Sequence, residues 1–340
     1  MNEKNLMRDT EPAQVPRLMR AAVLSEPGPV ENLVVQDVPI PSPQEGWVRV
    51  AVRAFGLNRS ELHTRLGLGE GVSFPRILGI EAVGVVDLDP SGTYRQGQQV
   101  ATMMGEMGRQ YDGGYAEYTC VPLGQLIPFH SELPWDQIGA VPETLQTAYG
   151  TLRIGIDLHD GNHLLVRGGT SALGLAITAL AKRQGCTVYA TTRRPERLEQ
   201  LAACGVDVPL VDDGSIADQI RALRPEGVDG AVELVGTPTL RDTLRAVRIH
   251  GTACFTGMLS NAWTIDGFYP IDYIPYGVRL TSYAGEAADL PAAVLQDILD
   301  GIATGTVTLG PYHTYRLDEI QQAHRDMEEG TRVGKLVGMP

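Results

Sequence analysis

The sequence predicts an α/β protein in two units, a β-barrel-like unit followed by a doubly wound parallel sheet. Two observations carry this. Up to residue 142 or so, the chain is a succession of short β-branched or alternating runs broken by Pro and Gly clusters. Beyond it, apolar strands alternate with helical stretches, the pattern of a parallel sheet with helices on both faces. The length of 340 residues agrees, being more than one ordinary domain needs.

In the first unit, 21–24, 33–37 and 48–54 read as strands, and 59–66 as a helix. Residues 84–87, 99–102 and 115–121 continue the strand pattern. In the second unit, a strand at 163–167 leads into a helix at 171–183, and a strand at 187–191 into a helix at 195–203. Further apolar strands follow at 229–234 and 252–256, with a helix at 240–247 between them, and a last strand at 278–283. The tail is expected to hold a helix at 290–304, a short strand, a helix at 317–327 and a closing strand at 335–338. The expected division is a flexible leader over 1–19, the first unit over 20–142, the wound sheet over 143–284, and a return to the first unit over 285–340.

Composition narrows the function. The net charge of −13 argues against a nucleic-acid partner, which would require a basic face. The first 20 residues mix charges and prolines, unlike a signal peptide or a membrane span, so a soluble, cytoplasmic protein is expected. Cys120, Cys186, Cys204 and Cys254 show no metal-binding or disulfide spacing and read as buried thiols.

The strand at 163–167 runs into Gly168-Gly169-Thr170-Ser171-Ala172-Leu173-Gly174 and then a helix. This approximates the dinucleotide fingerprint, with Gly169 and Gly174 in the outer glycine positions and Ser171 replacing the middle one. The start of the following helix, at Ala172 and Leu173, would offer free amides to a phosphate. The next strand ends in Thr192-Arg193-Arg194, with Arg197 close behind, where an NAD-binding unit would carry a carboxylate. Guanidinium groups suit a 2′-phosphate and a carboxylate would repel it, so the expected cofactor is NADPH.

Several further motifs stand in order along the chain: 54–61 (AFGLNRSE), 78–84 (LGIEAVG), 113–118 (GGYAEY), 147–149 (TAY) and 334–337 (GKLV). With the fingerprint, they make the chain resemble the medium-chain dehydrogenase/reductase superfamily from Arg20 to Gly338. Zinc-dependent members carry Cys where this chain has Asn58, His where it has Ile80, and four close cysteines in the region after Ala101, where only Cys120 occurs. An apolar Ile at a ligand position cannot hold zinc, so the resemblance is to the zinc-free quinone oxidoreductase branch. It implies a GroES-like barrel with an inserted Rossmann unit, and a cleft between them. It also implies that Asn58 and Thr147 lie near the nicotinamide, and that Val235, Gly236, Gly257, Met258 and Lys335 border the cofactor. A position that is often Tyr beside the adenosine phosphate falls on about Asp212.

Without a metal to polarise a simple ketone, the expected acceptor is already activated: a quinone, or an alkene conjugated to a carbonyl. His63, five residues after Asn58, is the candidate proton donor, because imidazole titrates near neutral pH; a partly exposed His on a helix flank is the competing reading. Tyr111 and Tyr115 are weaker candidates. Asn58 is expected to bond the cofactor ribose or carboxamide, and Glu81 to have a structural role. The remaining histidines, His130, His159, His163, His250, His313 and His324, are expected to be solvated or locally bonded. Three functions stay open: a quinone reductase, an enoyl or enone reductase, and a cofactor-binding protein with little turnover. The exposed edge of the strand at 278–283 suggests a homodimer.

Overall fold

The computed structural model describes residues 17–69 and 71–340. The expected leader therefore lies almost wholly outside the described residues, and Leu18 and Met19 already belong to the first strand.

The chain opens with β1 (Leu18–Leu24) and β2 (Leu33–Pro39), which pair antiparallel. Next come β3 (Trp47–Leu57), helix α1 (Arg59–Arg65), the short β4 (Arg76–Ile77), β5 (Glu81–Leu88), β6 (Gln99–Met103), β7 (Tyr118–Pro122) and β8 (Leu126–Pro128). Helices α2 (Trp135–Gly139) and α3 (Pro142–Gly150) lead out of this unit, and α3 runs on into a π-helical turn over Thr151–Ile156.

The parallel sheet begins with β9 (His163–Arg167), followed by α4 (Ala172–Arg183), β10 (Thr187–Thr192), α5 (Leu198–Ala203), β11 (Val208–Val211), α6 (Ile216–Leu223) and β12 (Val228–Glu233). It is completed by α7 (Thr237–Ala246), β13 (Val247–Phe255), the one-turn α8 (Pro270–Tyr273) and β14 (Arg279–Ser282). The tail supplies α9 (Ala292–Ala303), β15 (Tyr312–Arg316), α10 (Ile320–Glu329) and β16 (Lys335–Met339).

The second sheet is parallel throughout, in the order β11-β10-β9-β12-β13-β14. Counted within the unit this is 3-2-1-4-5-6, the doubly wound order whose ligands bind where the winding reverses, between β9 and β12. Leu164, Leu165 and Val166 are all fully buried, as expected of a central strand covered on both faces. In the first unit, β3 pairs with β5, β7 and β16, so the last strand of the chain is stitched antiparallel to an early one. A smaller sheet, β2-β1-β4, packs beside it.

A cluster including Ala54, Val83, Ile138, Leu145, Leu295, Leu299 and Val337 joins α2, α3 and α9 to the barrel strands. The two units share this apolar contact, which fixes how the cleft walls face one another.

Candidate active site

A cavity of about 1030 Å³ lies between the two units. Each wall is held by a short polar device at a chain reversal.

On the parallel sheet, β9 ends in Gly168 at φ 92°, a conformation that glycine adopts freely. Ser171 caps α4: its hydroxyl donates to the Gly168 carbonyl at 2.8 Å and accepts from the Gly174 amide at 3.1 Å. The amides at the start of α4 have no partner further back in the helix and are free for an anion. A Cβ on Gly174 would stand 2.7 Å from the Gly168 carbonyl oxygen, so helix and turn pack with no room for a side chain. Thr170, Ser171, Ala172 and Leu173 border the cavity.

Beside this turn, β10 delivers Thr192, Arg193 and Arg194 to the cavity edge. The Arg193 and Arg194 side chains are exposed and make no hydrogen bond or ion pair among the described residues. Arg197 also borders the cavity, but one of its nitrogens donates to the Gly330 carbonyl at 3.4 Å, beyond the end of α10. Asp212 does not line the cavity. Its carboxylate receives two 2.8 Å bonds from the buried guanidinium of Arg167, which also bonds Asp242 at 2.7 Å.

The barrel wall is a buried polar cluster. Asn58 precedes α1, and its backbone amide donates to Glu61 at 3.1 Å. The Lys335 ammonium donates to the Asn58 side-chain oxygen at 2.5 Å, and lies 2.7 Å from Glu81 and 3.4 Å from Glu143. Those three acceptors match its three hydrogens. The Asn58 side-chain nitrogen donates to Glu81 at 3.0 Å, so both ends of its amide are engaged inside the protein. Burial pushes Glu61 up to about 8 and raises Glu143, although Lys335 pulls both downward. Thr147 donates to Glu143 at 3.0 Å.

His63 follows on α1, and its Nε2 lies 3.0 Å from the Asn261 side-chain oxygen on the opposite unit. Burial lowers its affinity for a proton, the bond to Asn261 raises it in part, and the nearby Arg59 lowers it; the net direction is down.

The cavity gathers His63, Asn58, Thr147, Ser171, Ala172, Leu173, Thr192, Arg193, Arg194, Arg197, Gly257, Met258 and Lys335. Four expected residues lie outside its lining. Gly169 packs toward β10, and Gly174, in the first turn of α4, packs against Gly168 and Gly169, so both shape the wall from behind. Val235 and Gly236 turn away, their amides bonded to the buried Glu233 at 2.7 and 3.0 Å. Lys335 reaches the site with its ammonium among carboxylates. Tyr111 bonds Gln125 at 2.7 Å and Tyr115 is sealed in the barrel core, so neither borders the cavity. His324 corrects the expectation of a solvated or bonded ring: it is fully buried, neither nitrogen has a partner among the described residues, and burial drives it down to about 3. Arg59, Glu143, Asn261, Trp263 and Tyr283 line the cavity without having been singled out in the sequence. Arg59 adjoins Asn58 in the same motif, which was signal enough to find it.

Fold and cavity together define a two-unit nucleotide-dependent oxidoreductase. The sequence matches two family models, the alcohol dehydrogenase GroES-like domain over residues 44–131 and the zinc-binding dehydrogenase over 172–293. It is 28% identical to prostaglandin reductase-3 of Mus musculus over 97% of this chain and 91% of that protein. It is 26% identical to the quinone oxidoreductase of Mus musculus over 94% and 98% respectively. Among solved structures, that of AibC superposes with a TM-score of 0.84 at 28% identity, over 98% of this chain and 99% of that one. The chain belongs to the medium-chain dehydrogenase/reductase superfamily, in its quinone oxidoreductase-like branch.

Proposed function

We propose that the protein is an NADPH-dependent, metal-free reductase of quinones or other carbonyl-conjugated acceptors. One observation carries the reading. One cavity has the exposed Arg193 and Arg194, without an ion pair among the described residues, beside the first amides of α4 at one end, and His63 from the other unit on its lining. The residues fit the dinucleotide: the turn leaves backbone amides for a pyrophosphate, and two exposed guanidinium groups suit a 2′-phosphate. When bound, the nicotinamide supplies hydride to the acceptor.

The residues do not fit a zinc ion. Asn58 and the apolar Ile80 stand at the ligand positions of zinc-dependent relatives, and Lys335 already supplies a cation to Glu81 and Glu143. The chain's own contributions are then to bind and orient. Arg193 and Arg194 hold the phosphate, the Lys335 cluster holds the entry to α1 in place, and His63 handles the proton. We assign the barrel unit to 20–142 and 285–340 and the dinucleotide unit to 143–284. The open edge of β14, with Ile249, Ile271 and Tyr276 exposed on its side of the sheet, supports a homodimer; a monomeric mass by sedimentation would exclude it.

The test is equilibrium binding of NADPH and NADH followed by nicotinamide fluorescence. The reading expects NADPH to bind at least about tenfold more tightly, on the order of one charge-assisted hydrogen bond. Equal affinities would exclude the assignment of Arg193 and Arg194.

A further inference from the structure

The two units touch across the cavity at His63. The loop after β13 is pinned to the end of β12, with Leu259 donating to the Leu234 carbonyl at 3.0 Å and Ser260 to that of Val235 at 2.8 Å. A turn then closes, the Asn261 amide donating to the Met258 carbonyl at 2.9 Å. Asn261 sits at φ 59°, a left-handed conformation that Asn adopts more readily than most residues. From there its side-chain oxygen meets His63 Nε2 at 3.0 Å, and the Trp263 ring meets the imidazole edge-on, 4.5 Å between centroids. His63 Nδ1 makes no hydrogen bond among the described residues. That nitrogen is not sealed from solvent, and His63 borders the cavity.

An amide oxygen only accepts, so a ring facing it carries its hydrogen on Nε2, which leaves Nδ1 bare in the neutral form. We propose that Asn261 is a positioning residue for proton transfer: it fixes the tautomer and orientation of His63, so that Nδ1 is the atom that exchanges a proton with the acceptor. Trp263 walls the same space. The proposal rests on the reading of His63 as the proton-transfer group of the reductase. In that step the imidazolium Nδ1–H gives its proton to the enolate or hydroquinone oxygen, and the ring returns to its neutral Nε2–H form. Solvent then reprotonates Nδ1.

The charges around the ring are few. Arg59 on the same helix opposes its protonation. Glu61 is buried with its carboxylate on the Ile80 and Asn58 amides. Glu328, near the end of α10 and packed toward α1, is paired with Arg65. The loop after β13 brings the neutral Asn261 and Trp263 to the ring. The ring therefore holds a proton less readily than a free imidazole, and the donor form grows as pH falls.

Asn261→Asp places a carboxylate at the same spot, and Asn261→Gly removes the acceptor without backbone strain. The experiment is a histidine NMR titration of native protein and both variants, with the His63 resonance identified by its loss in His63→Gln. In the Asp variant, His63 should titrate at least about one pH unit higher, and the fall of kcat with rising pH should move by the same amount. In the Gly variant, the ring carbon shifts should report a mixture of tautomers. The same His63 titration and tautomer in all three proteins would overturn the positioning role. If no acceptor is turned over at all, the reductase reading fails, while the NMR result still decides this proposal.

Discussion

Lys335→Met removes the one buried cation from a cluster that holds Glu61, Glu81 and Glu143 at the cavity wall. The Met side chain keeps most of the methylene stem, which packs in the space left by Gly56, where any Cβ would meet Lys335 and Glu81. What disappears is the ammonium at 2.7 Å from Glu81 and 3.4 Å from Glu143, in an ion pair whose side chains are 6% and 1% exposed for Lys335 and Glu81. Removing one partner of a buried pair costs about 3–5 kcal/mol, because the other charge is left uncompensated. The cost is pH-dependent. Glu61 and Glu143 are raised above their ordinary range by burial, and the Lys335 charge holds both down, so they rise further in the variant. A carboxyl whose folded pKa is raised binds a proton more tightly in the fold. Its contribution to stability is present below its unfolded value and lost as pH rises toward the folded one. The deficit therefore opens as pH rises past each carboxyl's native folded pKa, about 8 for Glu61, and should be larger at pH 9 than at pH 5. Urea denaturation followed by tryptophan fluorescence at both values measures it, with the two units' transitions fitted separately if they do not coincide. A deficit below about 1 kcal/mol at pH 9, or one independent of pH, would refute the reasoning, since it falls far short of the cost of an unpaired buried charge.

Three further outcomes follow from the same geometry. Replacing Arg193 and Arg194 together by Ala should raise the KM for NADPH by on the order of tenfold or more, with little change for NADH, because only the 2′-phosphate distinguishes the two; steady-state kinetics with each cofactor measures this. Gly174→Ala puts a methyl 2.7 Å from the Gly168 carbonyl oxygen and 2.9 Å from the Gly169 Cα. It should cost about 1–3 kcal/mol by overpacking and weaken NADPH binding, read from the thermal midpoint with and without cofactor. Glu61→Gln mimics the protonated acid whose pKa burial lifts to about 8. Native protein should lose stability between pH 5 and 8, by up to about 1.4 kcal/mol per pH unit for one proton, and the variant should lose less; thermal midpoints across that range decide it.

The legible parts of this molecule are those whose signal is local. The turn from β9 to α4 announces itself through an apolar run, three glycines and Ser171 within a dozen residues. α3 is illegible for the opposite reason. Thr144, Leu145, Gln146 and Ala148 are all buried, so no apolar stripe separates a core face from a wet one. β11 contains Pro209, which argues against a strand except at a sheet edge, and the edge is where it lies. The site divides in the same way. Arg193 and Arg194 are readable because the cofactor unit has a fixed spacing. The Asn261 contact with His63 joins positions 198 residues apart, and that of Lys335 with Asn58 joins positions 277 apart. Spacing carries no trace of such pairs. His324 is misread for a third reason, since its environment is set by the barrel core.

The central claim is a cavity that takes NADPH and reduces an activated acceptor without a metal. The most direct measurement is NADPH oxidation, followed by its absorbance, against a panel of quinones and enones, with NADH and a zinc chelator as controls. The account predicts turnover with NADPH that exceeds turnover with NADH and survives chelation. Activity lost on chelation would contradict the reading of Asn58, Ile80 and Lys335, and equal use of NADH would contradict that of Arg193 and Arg194.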